Sequence, residues 1–284
     1  MKKWIALLLA ALMVFSLAAC ASETKTQDDT QSQTEDTSAE TDAEAETETD
    51  ADSDLAYVQG KGTLIVGITD FAPMDYQENG EWIGFDADMA KAFAESLGVT
   101  AEFVEINWDT KIMELDSKNL DCVWNGMTLT DDIQANQACT QPYVKNAQVV
   151  VMKADAPYTS TADLIGKTVA VEAGSAGQTT VEEDENLMQA DVITKTVQTD
   201  CLMEVEAGTA DAAVLDLTLA SAMIGEGTDY ADLEIVDELN AEEYGVAFRK
   251  GSDAAAAVND AFAALRADGT MQALADKYGL TLAE

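Results

Sequence analysis

Carboxylates are the most numerous side chains with which this 284-residue chain could do chemistry: it has 54 Asp and Glu residues, 15 Lys and Arg residues and no histidine. Without an imidazole, His-based triads, proton shuttles and most zinc sites are excluded. Glu172 and Asp216 each follow an apolar run, and residues 125–134 (N-G-M-T-L-T-D-D-I-Q) place two more carboxylates after a glycine-bearing polar loop. That segment has no basic residue, so it suits a cationic or amine-bearing ligand better than an anionic one.

The composition of the whole chain agrees with that preference. The formal net charge is −39, and the only arginines are Arg249 and Arg266. Nucleic acids and anionic lipid headgroups both need clustered lysine and arginine, so no nucleic acid is expected as a partner. A hydrophobic content of 47% is typical of a globular protein.

The first 20 residues have the pattern of a secretory signal. Met1-Lys2-Lys3 is basic, and residues 4–15 form an apolar run too short to span a membrane with normal flanks. Leu17-Ala18-Ala19-Cys20 matches the lipobox of bacterial lipoproteins, which predicts a signal peptide over residues 1–19 and a diacylglyceryl group on Cys20. The alternative is an ordinary signal that happens to contain a cysteine. The lipoprotein interpretation predicts a protein anchored by acyl chains such as palmitate on the extracellular face of the cell membrane.

Residues 20–54 are predicted to be an acidic linker that follows the lipidated cysteine. Residues 21–54 contain 13 acidic residues and no aromatic residue. Low hydrophobicity and high like charge cannot bury enough surface to offset chain entropy, so a disordered spacer is expected.

The three remaining cysteines are Cys122, Cys139 and Cys201. None has the spacing of a metal ligand set, so no metal site is predicted. A Cys122–Cys139 disulfide and buried free thiols both remain open, with free thiols preferred.

From residue 55 onward, apolar strands alternate with amphipathic helices in two series. The first predicts strands at 63–68, 101–106 and 121–124, and helices at 86–97 and 109–117. The second predicts strands at 167–171, 191–197 and 211–215, and helices at 161–165, 179–188 and 201–207. Such alternation predicts mostly parallel sheets with helices on their faces, and a ligand cleft where glycine-containing loops follow the strands.

Eight motifs then carry a resemblance to one known family. They are G-T-L-I-V-G (62–67), F-A-P-M-D-Y (71–76), N-G-E-W-I-G-F-D-A-D-M-A-K (79–91), L-D-C-V-W-N-G-M-T-L-T (120–130), Q-P-Y (141–143), D-L-I-G-K-T-V-A-V-E-A-G-S (163–175), Y-G-V-A-F-R-K-G (244–251) and L-R-A-D-G-T-M-Q-A-L-A-D-K-Y-G (265–279). With these motifs the chain resembles the polar amino acid family of solute-binding proteins that serve ATP-driven importers, over nearly all of residues 55–280.

The resemblance implies a periplasmic-binding-protein type II fold, in which two α/β lobes are joined by two hinge strands and lobe 2 is inserted in lobe 1. Lobe 1 would comprise residues 55–145 and 245–284, and lobe 2 residues 146–244. The hinges would lie near residues 144–149 and 243–245. A small-molecule ligand would close the lobes, and the closed monomer would dock on the permease subunits of an ABC importer.

The family's ligand contacts carry over to positions on both lobes. Phe71 and Trp108 would sandwich the ligand side chain, although aromatic residues more often belong to a core. Asp216 would pair with the ligand's ammonium group, although an Asp before a helix can also be its N-cap. Further acceptors would come from Thr128 and from the backbone of Asn125, Gly126 and Met127.

For a ligand carboxylate, the resemblance implies two devices. One is the backbone N–H groups of Gly174, Ser175 and Ala176, before a helix. The other is an arginine in the first turn after the Thr-x-Thr loop, but Ile133 stands at that position. Lys145 is the nearest basic candidate in the sequence. The other acids expected near the cleft are Glu172 and Asp70.

These observations predict a lipid-anchored solute-binding component of an ABC importer that takes an amino acid or related amine-bearing solute and is not an enzyme. No cofactor is expected. One alternative is a dehydratase-like enzyme on the same fold, but such chemistry needs a positioned acid or base and usually a cationic clamp. Another is a sensing module that signals through a partner.

Overall fold

The computed structural model describes residues 53–284, so the predicted signal peptide, Cys20 and most of the acidic linker lie outside the described residues. The first helix is α1 (Asp54–Lys61), and its N-cap Ser53 accepts a hydrogen bond from the Ala56 N–H. Asp54 is buried and forms an ion pair with Arg249, with 2.9 Å between Oδ1 and Nη2. Asp54 was assigned to the linker, but this ion pair makes it part of the folded domain.

Lobe 1 contains most of the elements before residue 140 and the two C-terminal helices. They are β1 (Thr63–Ile68), β2 (Tyr76–Glu78), β3 (Glu81–Ile83), α2 (Phe85–Ser96), β4 (Thr100–Glu105), α3 (Lys111–Asp116), β5 (Cys122–Thr128), α4 (Asp131–Asn136), β6 (Ala138–Cys139), α8 (Ala254–Ala267) and α9 (Thr270–Tyr278). Helix α2 buries Met89, Ala90, Phe93 and Ala94, the 3.6-residue stripe that predicted it.

Lobe 2 repeats the alternation between two long strands. Its elements are β7 (Val144–Lys153), β8 (Thr168–Glu172), α5 (Ala176–Glu183), β9 (Asp191–Lys195), α6 (Gln198–Ala207), β10 (Ala212–Asp216), α7 (Leu217–Met223) and β11 (Leu233–Phe248). Helix α5 begins three residues before its predicted start, because Ser175 caps it by accepting from the Gln178 N–H.

One sheet runs through both lobes in the order β4-β1-β5-β11-β7-β10-β8-β9, and β6 also pairs with β11. The β1–β4 and β1–β5 pairs in lobe 1 are parallel, as are the β10–β8 and β8–β9 pairs in lobe 2. Strands β7 and β11 are antiparallel and pair from Leu233↔Lys153 to Tyr244↔Val144. We call these two the hinge strands, because β11 continues into the lobe 1 sheet through β5 and β7 continues into lobe 2 through β10. The two-lobed α/β arrangement with two connecting strands is thereby confirmed.

Three further details bear on the sequence predictions. Cys122, Cys139 and Cys201 are free thiols, so the first two are not bridged. Strand β5 extends to Thr128, four residues beyond its predicted end at residue 124. Within residues 53–284, none of the helices combines the length and the apolar character needed to cross a membrane.

Candidate functional site

A cavity of about 570 Å³ lies between the lobes, at the carboxyl ends of β5, β8 and β10. This is where open α/β sheets place their ligands. Its lining contains eleven of the twelve ligand-binding residues predicted from the sequence: Phe71, Trp108, Asn125, Gly126, Met127, Thr128, Glu172, Gly174, Ser175, Ala176 and Asp216. The twelfth, Asp70, is exposed and lies outside the lining.

Aromatic and aliphatic side chains from lobe 1 form the apolar wall of the cavity. Trp108 begins a 3-10 turn capped by Asn107, whose side chain accepts from the Asp109 N–H. Phe71 packs edge-on against Tyr244, with 6.3 Å between ring centroids. Gly126 has φ 54°, and a Cβ there would overlap the Phe71 ring, so only glycine allows this approach.

The polar groups of Asn125 and Gly126 already form hydrogen bonds within lobe 1. Asn125 Oδ1 accepts from Thr69 N at 2.9 Å and Thr69 Oγ1 at 2.8 Å, and its Nδ2 donates to Asp75 Oδ2 at 2.7 Å. The Gly126 N–H donates to Asp86 Oδ2 at 2.7 Å. Met127 and Thr128 pair with Gly245 and Tyr244 of β11, so residues 125–128 continue β5 instead of forming the predicted loop.

Asp75 and Asp86 are a buried carboxyl pair beneath that strand end, and no sequence pattern predicted their burial. Burial, together with the charge of Asp86, raises the pKa of Asp75 well above its usual range. Burial raises the pKa of Asp86 to about 7, although it accepts from Tyr143 Oη at 2.7 Å. The pair fixes the backbone that forms the cavity floor.

Asp216 is the last residue of β10 and the N-cap residue of α7, but its side chain makes no capping hydrogen bond. Its carboxylate is surrounded by donors instead. Oδ1 accepts from Asn146 Nδ2 at 2.5 Å, Gln148 Nε2 at 3.0 Å and Tyr244 Oη at 2.7 Å. Burial, with the charge of Glu242, raises its pKa to about 7. Oδ2 accepts from Gln198 Nε2, so a cation from the cavity would share a carboxylate whose two oxygens already have donors.

Glu242 of β11 is a neighbouring carboxylate that the sequence analysis missed. It accepts from Asn146 Nδ2 at 2.7 Å and Gln148 Nε2 at 2.9 Å, the two amides that also serve Asp216. It accepts from Thr128 Oγ1 as well, at 2.9 Å. The Thr128 hydroxyl thus donates its hydrogen bond to Glu242 of the hinge strand β11, and its oxygen keeps lone pairs that can accept a hydrogen bond from a ligand.

Glu172, the last residue of β8, is only 2% exposed. Its Oε2 accepts from Gln198 Nε2 at 3.4 Å, while Oε1 has no hydrogen-bond partner among the described residues. The Trp108 indole comes close enough to lower the pKa of Glu172, but its N–H completes no hydrogen bond. Burial and the charge of Asp216 prevail and raise that pKa to about 8.

The loop before α5 brings the lobes into contact. Gly174 has φ 69°, and a Cβ there would lie 2.5 Å from Asp109 Oδ1 and 2.9 Å from the Asp109 backbone nitrogen in lobe 1. Two of the three N–H groups predicted to bind an anion are used within lobe 2. The Gly174 N–H donates to Gln178 Oε1 at 2.9 Å, and the Ser175 N–H donates to the Glu172 carbonyl at 3.3 Å.

The basic residue of the cavity is Lys111 and not Lys145. Lys145 lines a separate cavity behind the hinge strands, whereas Lys111 lines the cavity between the lobes. Lys111 Nζ donates to the Trp108 carbonyl at 2.9 Å. Ile133 also lines this cavity and packs in the apolar cluster that includes Trp108 and Met127. Lys111 could have been found from the sequence, because helical i, i+3 spacing places it beside Trp108.

Carboxylates outnumber ammonium groups in the cavity lining. Lys111 is the only base in it, and the acids are Asp131, Asp132, Glu172, Glu183 and Asp216. No group of histidine, cysteine or acidic side chains in residues 53–284 has the arrangement of a metal site. The electrostatic field therefore favours a cation that is held by carboxylates directly.

Residues 64–281 match the family described as bacterial extracellular solute-binding proteins, family 3. The L-cystine-binding protein TcyJ of Escherichia coli (strain K12) is 34% identical over 229 residues, which cover 78% of this chain and 84% of TcyJ. The chain therefore belongs to family 3 of the bacterial extracellular solute-binding proteins. This confirms the resemblance predicted from the eight motifs.

The solved structures to which this family 3 solute-binding protein is similar include amino-acid-binding proteins. A mutant of ArgBP from T. maritima has a TM-score of 0.73 and is 33% identical, and the match covers 79% of this chain and 98% of the ArgBP chain. The arginine-bound form of a truncated ArgBP has a TM-score of 0.67. The ancestral amino acid-binding protein AncCDT-1, described as a precursor of cyclohexadienyl dehydratase, has a TM-score of 0.72 and 33% identity, covering 80% of this chain and 99% of its own.

Proposed function

We propose that this protein is the lipid-anchored, extracellular solute-binding component of an ABC importer, and that it captures an amine-bearing solute in the cavity between its lobes. The observation that carries the proposal is the pair of buried carboxylates, Glu172 and Asp216, at the carboxyl ends of two lobe 2 strands. A charge-assisted hydrogen bond from an ammonium or guanidinium group to such a carboxylate contributes about 1.5 to 3 kcal/mol.

The opposite wall suits the rest of such a ligand. Trp108 and Phe71 present apolar faces, and aromatic rings also attract cations placed over them. The contact between Gly174 and Asp109 shows that the lobes meet beside this cavity, so a bound ligand would be enclosed. Membership in family 3 supports the importer role, and the Cys20 lipobox supports the anchor.

A ligand screen tests the proposal. The purified full chain is heated with each amino acid and a panel of amines at pH 7.5, and hits are measured by calorimetry. Cationic and zwitterionic amines should raise the melting temperature, because a ligand that binds only the folded state stabilises it in proportion to the logarithm of its concentration over Kd. Glutamate and aspartate should not, and tight glutamate binding would contradict the proposal.

The anchor and the enzymatic alternative have separate tests. Labelled palmitate should be incorporated by the wild-type chain and not by Cys20→Ser. A dehydratase on this fold is favoured by one observation, the likeness to AncCDT-1. Mass spectrometry of a cyclic hydroxy acid incubated with the protein would detect loss of water, and we expect the acid to remain unchanged.

A further inference from the structure

We propose that the cavity recognises its ligand through the amine alone, so that it binds decarboxylated amino acids at least as well as the amino acids themselves. This inference rests on the proposed function, in which the cavity between the lobes is the ligand site. The predicted ligand class is a primary amine or guanidine on an apolar chain, with no carboxylate.

The lobe 2 side of the cavity contains oriented carboxyl groups that can accept hydrogen bonds from an amine. Asp216 accepts three hydrogen bonds at Oδ1, which fix the orientation of its carboxylate. Glu172 lines the same cavity, and its Oε1 is buried and has no hydrogen-bond partner among the described residues. A buried oxygen without a donor is costly, so a ligand that supplies an N–H at this point relieves that cost.

A ligand carboxylate finds no guanidinium in the cavity. Ile133, in the first turn of α4, is 8% exposed and belongs to an apolar cluster with Trp108, Leu115 and Met127. The two residues before it, Asp131 and Asp132, are acids that line the cavity. This side of the cavity therefore repels an anion instead of binding it.

Lys111 is a weak source of the missing charge, because burial lowers the pKa of its ammonium group and one of its three N–H groups is already bonded. Nζ donates to the Trp108 carbonyl at 2.9 Å and lies 5.5 Å from the centroid of the Trp108 ring. The nearby carboxylates of Asp109 and Asp132 face the same ammonium group and offset its charge. An incoming carboxylate would have to compete with both acids.

The loop before α5 is also poorly suited to an anion. The Gly174 N–H is bonded to Gln178 Oε1, and the Ser175 N–H is bonded to the Glu172 carbonyl. The Ala176 N–H, the third group predicted to bind an anion, makes no hydrogen bond among the described residues, so a carboxylate would find a single open donor here, in the same cavity as the buried Glu172 side chain. Bringing a carboxylate into this cavity thus loses hydration without a dedicated replacement.

The test compares two pairs of ligands that differ only in the carboxylate: lysine with cadaverine, and arginine with agmatine. Calorimetry on the full chain at pH 7.5 gives Kd for each. In at least one pair, the amine should bind as tightly as the amino acid or more tightly. If in both pairs the amino acid binds tenfold or more tightly than its amine, the inference is overturned while the proposed function stands. If no member of either pair binds, the proposed function falls and this inference falls with it.

Two variants test which residue determines the preference between an amine and the corresponding amino acid. Ile133→Arg introduces a guanidinium where the apolar side chain lies, and it should shift the ratio of Kd values toward the amino acid by about 10- to 150-fold. Lys111→Met should leave the wild-type ratio unchanged, because Lys111 is engaged elsewhere. A ratio that moves toward the amine by tenfold in Lys111→Met would show that Lys111 binds the carboxylate and would overturn the inference.

Discussion

The two walls of the cleft are built on opposite principles. The lobe 1 wall presents the apolar side chains of Phe71, Trp108 and Ile133, with the charged residues Lys111, Asp131 and Asp132 also in the lining. Its buried amide, Asn125, is used to hold the backbone. The lobe 2 wall presents Glu172 and Asp216, whose pKa values are raised to about 8 and about 7 by burial. Lobe 1 therefore offers a preformed surface, whereas lobe 2 offers carboxyl groups whose ionised form burial has made costly until a cation pairs with it.

This difference gives each wall its own role in binding. Apolar contact with Trp108 and Phe71 contributes in proportion to the area buried and discriminates little between ligands of similar shape. A buried carboxylate discriminates strongly, because a ligand without a matching cation leaves it unpaired. Selectivity should therefore depend mainly on lobe 2, and the following experiments test that division.

The largest effect is expected from Asp216→Asn, which keeps the shape of the side chain and removes its charge. Affinity for a cationic amine should fall about 10- to 150-fold, the equivalent of a charge-assisted hydrogen bond. Calorimetry measures the change. Asp211→Asn, just before the same strand, is the control, because Asp211 makes an exposed ion pair with Lys167 away from the cavity. Equal losses in both variants would contradict a specific role for Asp216.

A smaller effect is expected where the walls meet, from Gly174→Ala. The new Cβ would collide with the Asp109 backbone nitrogen, 2.9 Å away, and hold the lobes apart. Gly166→Ala is a matched control, because Gly166 has nearly the same φ, 68°, and no atom near its Cβ position. Overpacking costs about 1 to 3 kcal/mol, so ligand affinity should fall about tenfold in Gly174→Ala alone. A loss of the same size in Gly166→Ala would assign the effect to backbone strain.

The smallest effect concerns the stability of the ligand-free protein. Between about pH 4 and 8, the folded state keeps protons on Asp216 and Glu172 that the unfolded chain has released, so stability should fall as pH rises. Asp75 and Asp86 act in the same direction in lobe 1. Glu172→Gln should therefore melt at a higher temperature than wild type at pH 8, but not at pH 5. Each 1 kcal/mol corresponds to roughly 2 to 4 °C in a domain of this size.

Calorimetric scans at both pH values measure this last effect. Glu183→Gln is the control, because Glu183 is exposed on α5 and its charge should matter little. A melting temperature of Glu172→Gln that follows wild type at pH 8 would show that the buried carboxylate of lobe 2 carries no such cost.

Local sequence patterns predicted the elements of this fold well. Strand β1 has its predicted bounds, residues 63–68, because a run of six apolar and small residues ends at a turn. Positions after strands were also predictable, since the carboxyl ends of β8 and β10 reach the cavity from lobe 2 and the carboxyl end of β5 reaches it from lobe 1. The position of Asp216 followed from this rule, but its hydrogen bonds did not.

Contacts between distant parts of the chain could not be predicted in this way. Asp86 reaches Gly126 across 40 residues, and Glu242 reaches Asn146 across 96, so no local pattern joins them. One signal was overlooked. Alternation along β11 places Glu242 and Tyr244 on the same face, and Tyr244 bonds to Asp216. Asp70 lies outside the cavity lining for a simpler reason, since β1 ends at Ile68 and the Asp70 side chain is exposed.

The donors that surround Asp216 also determine the order of events in binding. Asn146 and Gln148 belong to one hinge strand and Tyr244 to the other, so any rotation of the lobes about these strands changes their distance to Asp216 little. If the lobes close on the ligand, as the proposed function implies, the amine would meet the same oriented carboxylate before and after closure. The association rate would then depend on diffusion of the ligand into the open cleft. The residence time would depend on how often the closed lobes reopen and release the ligand.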